Sequence, residues 1–143
     1  GVNWCGIDRF LWSGSDGVSF APAEMRVNIK IHVINKAPNL STAVVRPVLD
    51  TPFAFTVDTF TKRFLDPDGD GLIRVRIASL PVHGVLTFDG TDLAVGQEIA
   101  LLDLPKLVFT PEAGYTGSDL FTWNATDGLL FAKKDAKVRV YIK

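Results

Sequence analysis

Leu65-Asp66-Pro67-Asp68-Gly69-Asp70-Gly71-Leu72-Ile73-Arg74-Val75-Arg76-Ile77 joins two patterns whose combination decides the fold. The first half sets carboxylates at 66, 68 and 70 and a glycine at 71, the opening of an EF-hand calcium loop. Such a loop offers hard oxygen ligands to a hard ion and uses glycine for the sharp bend. The second half alternates Ile73, Val75 and Ile77 with Arg74 and Arg76, the period of a β-strand with one buried face. The twelfth loop position, a bidentate Glu in an EF-hand, is Ile77 here, and no helical period flanks the loop. An EF-hand is therefore excluded. What remains is an acidic half-loop between strands, whose other ligands must come from elsewhere. An ordinary exposed turn needs only one or two such residues. Three spaced carboxylates repel one another and favour a cation, so Asp66, Asp68 and Asp70 are expected to hold Ca2+.

Strand-like alternation recurs outward from this stretch. Phe53, Phe55 and Val57 alternate with Ala54 and Thr56; Val138, Val140 and Ile142 alternate with Arg139 and Tyr141; Val27, Ile29, Ile31 and Val33 alternate with Asn28, Lys30 and His32. Turn signals separate these runs: Leu49-Asp50-Thr51-Pro52, Pro81-Val82-His83-Gly84, Asp89-Gly90 and Asp127-Gly128. No segment shows helical period, so the spacing predicts an all-β chain folded as an antiparallel Greek-key β-sandwich.

The two ends of the chain align without a gap at an offset of 111 residues. Gly6, Asp8, Phe10, Trp12, Asp16-Gly17 and Phe20-Ala21 correspond to Gly117, Asp119, Phe121, Trp123, Asp127-Gly128 and Phe131-Ala132; Val27, Ile29 and Ile31 correspond to Val138, Val140 and Ile142. Trp4 aligns with Tyr115. Residues 1–34 are thus expected to be the last hairpin of a preceding repeat, 35–38 a linker marked by Pro38, and 39–143 one complete domain.

A chain of 143 residues suffices for one domain with an appendage. Its formal charge of −1, with no local run of Lys and Arg, provides no field for nucleic acid, and no apolar run is long enough to span a bilayer. The start at Gly1 carries no leader pattern, and the chain reads as a piece of something longer. Cys5 is the single cysteine, so no internal disulfide forms, and calcium is a natural alternative source of rigidity. Cys5 is expected to be a small half-buried residue, His32 a solvated side chain and His83 a turn residue. No nucleophile, phosphate loop or zinc pattern is present. Glu98 and Glu112 are the carboxylates a hydrolase would need, and nothing in their setting points to that role. No enzyme activity is expected.

Residues 60–143 resemble the bacterial cadherin-like or Ig-like tandem repeat of large surface adhesins. The motifs that carry the resemblance are Leu65 to Leu72, then Ile77-Ala78-Ser79-Leu80-Pro81-Val82-His83-Gly84-Val85-Leu86 and Leu107-Val108-Phe109-Thr110-Pro111. Gly114 to Phe121 and Thr126-Asp127-Gly128 complete the set. The resemblance implies calcium at the junction of successive domains, held by an acidic loop, a linker residue and a neighbouring loop residue. On this chain those residues are Asp66, Asp68 and Asp70, with Asn35 from the linker and Asp127 from the hairpin turn. Lys36 stands where cadherins carry acidic or amide ligands, which suggests one weak site rather than a cluster of ions. Asp127 and its counterpart Asp16 also suit a two-residue hairpin turn that needs no metal. Trp12 and Trp123 are expected in a core, and Asp8 and Asp119 as loop hydrogen-bonders.

The expected function is that of an extracellular, calcium-binding structural or adhesion module at the cell surface, extending and rigidifying a large protein. Its partners would be neighbouring repeats or other copies of itself. The alternative is a subunit of an extracellular filament built by strand donation from residues 1–34. An accessory module for polysaccharide is the weakest reading, for want of an exposed aromatic row.

Overall fold

The computed structural model describes residues 6–31 and 34–143, without the side chain of Ile31. The expectations for Cys5 and His32, the alignment of Trp4 and the strand position of Val33 lie outside the described residues. The chain divides into two compact units, Gly1–Ile34 and Asn35–Lys143.

The first unit is a hairpin of β1 (Gly6–Trp12) and β2 (Met25–Ile31), paired antiparallel from Gly6↔Ile31 to Trp12↔Met25. Two strands leave an apolar face uncovered: Phe10 is 51% and Trp12 50% exposed. The core position expected for Trp12 is therefore not seen in this unit. A core needs facing strands, and a lone hairpin has none.

In the second unit, β3 (Asn39–Leu40), β4 (Ala43–Val45) and β5 (Phe53–Ala54) are followed by a one-turn helix α1 (Val57–Thr61). Then come β6 (Phe64–Leu65), β7 (Arg74–Ile77), β8 (Gly84–Phe88), β9 (Thr91–Asp92) and β10 (Glu98–Ala100). A 3-10 turn (Leu101–Lys106) leads into β11 (Leu107–Pro111), and the long pair β12 (Gly117–Thr126) and β13 (Ala136–Ile142) closes the chain. One sheet has the order β10-β7-β12-β13-β4 and the other β5-β11-β8-β9, with β3 paired to β6. The pairs are antiparallel except β13 with β4, which run parallel from Val138↔Ala43. The inward residues of both sheets form one core: Val75, Ile77, Phe121, Trp123, Val138 and Val140 meet Leu86, Leu107 and Phe109. The chain is an all-β sandwich.

The strand expected over 53–57 ends at Ala54. Thr56 remains extended at φ −112°, and Val57–Thr61 then turns once as a helix, delivering Phe60 beneath the sheets. Phe60 is fully buried, with its ring centroid 5.0 Å from that of Trp123 and 5.7 Å from that of Phe55. Full burial of such a ring stabilises the domain by about 2–3 kcal/mol, which outweighs the strand preference of a short segment.

Asp89 and Gly90 take φ +51° and +82°, as a two-residue type I′ turn requires. Asp127-Gly128 differs, because β12 ends at Thr126 and β13 begins only at Ala136. The two-residue hairpin turn expected there is replaced by a longer loop pinned by the bridge Thr126↔Phe131.

The β12–β13 pair repeats the first unit's hairpin at the same offset, with Gly117↔Ile142 through Trp123↔Ala136 matching Gly6↔Ile31 through Trp12↔Met25. The loops agree as well. Asp16 accepts from the N–H groups of Val18 and Ser19 as Asp127 does from Leu129 and Leu130, and the bridge Ser15↔Phe20 matches Thr126↔Phe131.

Candidate metal centre

Three segments of the second unit converge at one end of the sandwich. The acidic loop leaves β6, which pairs with β3 just after the linker, and enters β7 beside the end of β12. Ile73 donates its N–H to the Thr126 carbonyl (2.9 Å), which fixes the loop's exit next to Asp127. Buried Leu72 anchors the same exit in the core.

Within the loop, one oxygen of Asp66 organises the backbone. Asp66 Oδ1 accepts from the N–H of Asp68 at 2.7 Å and from that of Asp70 at 3.4 Å, while the N–H of Gly69 reaches the Asp66 carbonyl at 3.2 Å. Gly69 takes φ +83°, a left-handed conformation suited to glycine. The other oxygen, Asp66 Oδ2, is buried and has no hydrogen-bond partner, and the residue as a whole is only 9% exposed. Burying a polar atom without a partner costs roughly 1–3 kcal/mol, and more for a charged one.

Carboxylate oxygens of Asp66, Asp70 and Asp127 lie within 4.8 Å of one another. No Lys or Arg forms an ion pair with these three among the described residues. Two full charges at that separation repel by roughly 3 kcal/mol at an effective dielectric of 20, less where Asp70 faces water. Oxygens spaced within twice a calcium–oxygen bond of about 2.4 Å can share one Ca2+. An orphaned buried carboxylate oxygen, an all-oxygen donor set and this spacing together fit calcium.

Asp68 and Asn35 take different positions. Asp68 Oδ2 accepts from the backbone N–H of Lys36 (2.6 Å), so this carboxylate ties the loop to the linker and stands outside the clustered trio. Asn35 presents its amide nitrogen as a donor to Asp127 Oδ2 (2.8 Å), which leaves its carbonyl oxygen as the side chain's ligating atom. Asp127 Oδ1 accepts from Leu129 and Leu130, each at 2.7 Å. Desolvation pushes the Asp127 pKa up, but the hydrogen bonds from Leu130, Asn35 and Leu129 outweigh it and hold the carboxyl below its ordinary value. The group is poised as an anion.

The remaining sequence candidates lie elsewhere. Asp119 is buried within β12 and accepts from the N–H groups of Val82 (3.0 Å), His83 (2.6 Å) and Leu120 (2.8 Å). It is the hydrogen-bonder expected, but acts from a strand rather than a loop. Asp8 accepts from the N–H of Arg9 (2.8 Å). His83 stacks on Tyr115 with centroids 4.0 Å apart, and its Nδ1 lies 3.0 Å from Glu112. Glu98 faces Arg74 at 3.5 Å. Trp123 is fully buried.

Residues 35–139 match the family model of the bacterial Ig domain. The chain belongs to that family. Its Ig domain begins at the linker residue that reaches Asp127. No curated protein matches the chain. Among solved structures, the endo-fucoidan hydrolase MfFcnA4 of glycoside hydrolase family 107 is similar at 17% identity and a TM-score of 0.45, covering 99% of this chain and 19% of that one. The related MfFcnA9 is similar at 16% identity and a TM-score of 0.43, over 97% and 22%. A nucleoside hydrolase-related hypothetical protein from Saccharophagus degradans, associated with carbohydrate metabolism, follows at 12% identity and a TM-score of 0.36, over 76% and 26%. The chain spans about a fifth of the length of the hydrolases, and likeness of this strength bears on neither activity nor substrate. No helix among the described residues is long and apolar enough to cross a membrane.

Proposed function

We propose that the Ig domain is a calcium-stiffened structural module of a cell-surface or secreted protein. Asp66, Asp70 and Asp127 would ligate one Ca2+, while Asp68 and Asn35 bind the first residues of the domain to the same loop cluster. The ion would neutralise mutual repulsion among the carboxylates and hold residues 35–36 against the body, removing freedom that a short linker otherwise keeps. The role is mechanical: spacing and orienting what lies on either side in a longer adhesive protein. Three carboxylates suit an affinity in the roughly 0.1–1 mM range of extracellular calcium modules. The observation that carries this reading is Asp66 Oδ2, a buried carboxylate oxygen without a partner. At ten times Kd the ion should stabilise the domain by about 1.4 kcal/mol, or roughly 5 °C in Tm. Thermal unfolding in calcium and in chelator measures this directly, and equal midpoints would remove the metal.

A second reading rests on the hairpin of β1 and β2. Phe10 and Trp12 are half exposed there, whereas their counterparts Phe121 and Trp123 are fully buried in the Ig domain. Such a face can be covered by strands of another chain, and head-to-tail pairing of this kind builds open filaments. Sedimentation across a concentration series separates the two: a strict monomer at every concentration eliminates the filament.

A further inference from the structure

Four cations that are scattered in sequence, Arg74, Arg76, Lys137 and Arg139, share one outward sheet face of the sandwich. In β13, Ala136, Val138, Val140 and Ile142 point into the core while Lys137, Arg139 and Tyr141 face outward. Pairing sets Arg139 between Leu120 of β12 and Val44 of β4, and places Lys137 opposite Thr122. Across β12, Arg74 and Arg76 of β7 lie opposite Thr126 and Asn124 on the same outward face. No run of Lys and Arg is present in the sequence, but strand alternation and pairing bring together cations that are distant along the chain.

Two open concavities, of about 550 and 560 Å³, share Lys137 and Arg139 in their walls. Lys133 and Lys134 extend the first, and Tyr141, Ser79 and Ser118 the second. Lys137 and Arg139 form no ion pair among the described residues. The carboxylates nearby are engaged. Asp119 in the second concavity accepts three backbone N–H groups, Asp135 in the first accepts from Asn124 at 2.8 Å, and Glu98 faces Arg74. Arg46 lies over the Tyr141 ring at 5.3 Å, so the aromatic plane and the cations form one surface.

We propose that the two concavities flanking Lys137 and Arg139 form a groove that binds a linear acidic polysaccharide, with Lys137 and Arg139 pairing carboxylate or sulfate groups and the Arg46–Tyr141 stack bordering the sugar chain. Alternate residues of a strand stand about 7 Å apart, so the two cations form a short line rather than a single anion pocket. Serine hydroxyls at the rim supply partners for sugar hydroxyls. The chain's formal charge of −1 gives no long-range attraction for any polyanion, so binding rests on local charge pairing at these side chains. The groove uses none of the residues of the candidate calcium centre, so the two proposals stand or fall separately.

Affinity electrophoresis of the full chain through gels containing dextran sulfate, polygalacturonate or uncharged dextran tests this. Retardation is expected in the first two and none in the third, unchanged by chelator. The Lys137→Glu/Arg139→Glu variant should bind about tenfold more weakly, having lost two charge-assisted contacts. Lys62→Glu/Lys106→Glu, the same charge change elsewhere on the surface, should bind as the parent does. If charge reversal unfolds the domain, as its melting curve will show, Lys137→Gln/Arg139→Gln must show the loss instead. Equal binding to uncharged dextran, an equal loss in the control pair, loss of binding in chelator, or equally tight binding of duplex DNA would each overturn the proposal.

Discussion

Asp66 divides its two oxygens between two tasks. Oδ1 shapes the loop by accepting from Asp68 and Asp70, and Oδ2 is buried without a hydrogen-bond partner in a carboxylate that clusters with Asp70 and Asp127. Asp66→Asn keeps an acceptor for the loop and removes one charge. Without calcium it should match or exceed the parent in stability, since repulsion is relieved; with calcium the order should reverse. Melting curves of both proteins in both conditions check this. Asp127 contributes a pH dependence of its own. Its folded pKa is depressed, so its charge-assisted hydrogen bonds stabilise the domain fully above the unfolded value of about 3.9 and fade as pH falls through the folded one. Because the folded pKa is lowered on balance, these hydrogen bonds outweigh the repulsion in the cluster, and urea unfolding of Asp127→Asn in chelator should show a deficit of about 1 kcal/mol at neutral pH that shrinks below roughly pH 4. Gly84 is required by space rather than by conformation: an added Cβ would overlap the Phe109 ring and stand 2.9 Å from the Thr110 carbonyl oxygen. Gly84→Ala should cost about 2 kcal/mol, measured the same way, because both obstacles belong to the packed β11.

Among the elements, β7 and β13 were legible in sequence because strict alternation with one buried face admits a single reading. The 111-residue repeat read from the sequence is matched by a common pairing register in the two hairpins. Helix α1 was not legible, since one turn is too short to display a 3.6-residue period and the alternation of Phe53, Phe55 and Val57 carries the strand pattern past the end of β5. Three of the site carboxylates stood out from their spacing. Their division of labour did not, because alternate positions share a face only on a strand, whereas a loop bent at Gly69 turns Asp68 toward Lys36. Asp119 was undervalued for a similar reason: its importance lies in the 79–84 segment that folds back onto β12. Asp119→Ala leaves the N–H groups of Val82 and His83 without an acceptor and should destabilise by about 3 kcal/mol, with Asp119→Asn losing about half as much. Denaturant midpoints at constant m-value test that ordering.

At the scale of the molecule, the Ig domain has its own core from Ala43 to Ile142, whereas the hairpin of residues 6–31 leaves its apolar face open. Residues 35–143 alone should therefore fold and melt in a single cooperative transition. The central claim is that one Ca2+ joins the acidic loop, the β12–β13 loop and the linker at one end of that domain. Its most direct test is a calcium titration of the full chain followed residue by residue in 15N–1H NMR spectra. Saturable shifts confined to residues 35–36, 66–71 and 127–130, with a midpoint of roughly 0.1–1 mM, are expected. Spectra unchanged at about 10 mM calcium, or shifts centred elsewhere, would contradict it.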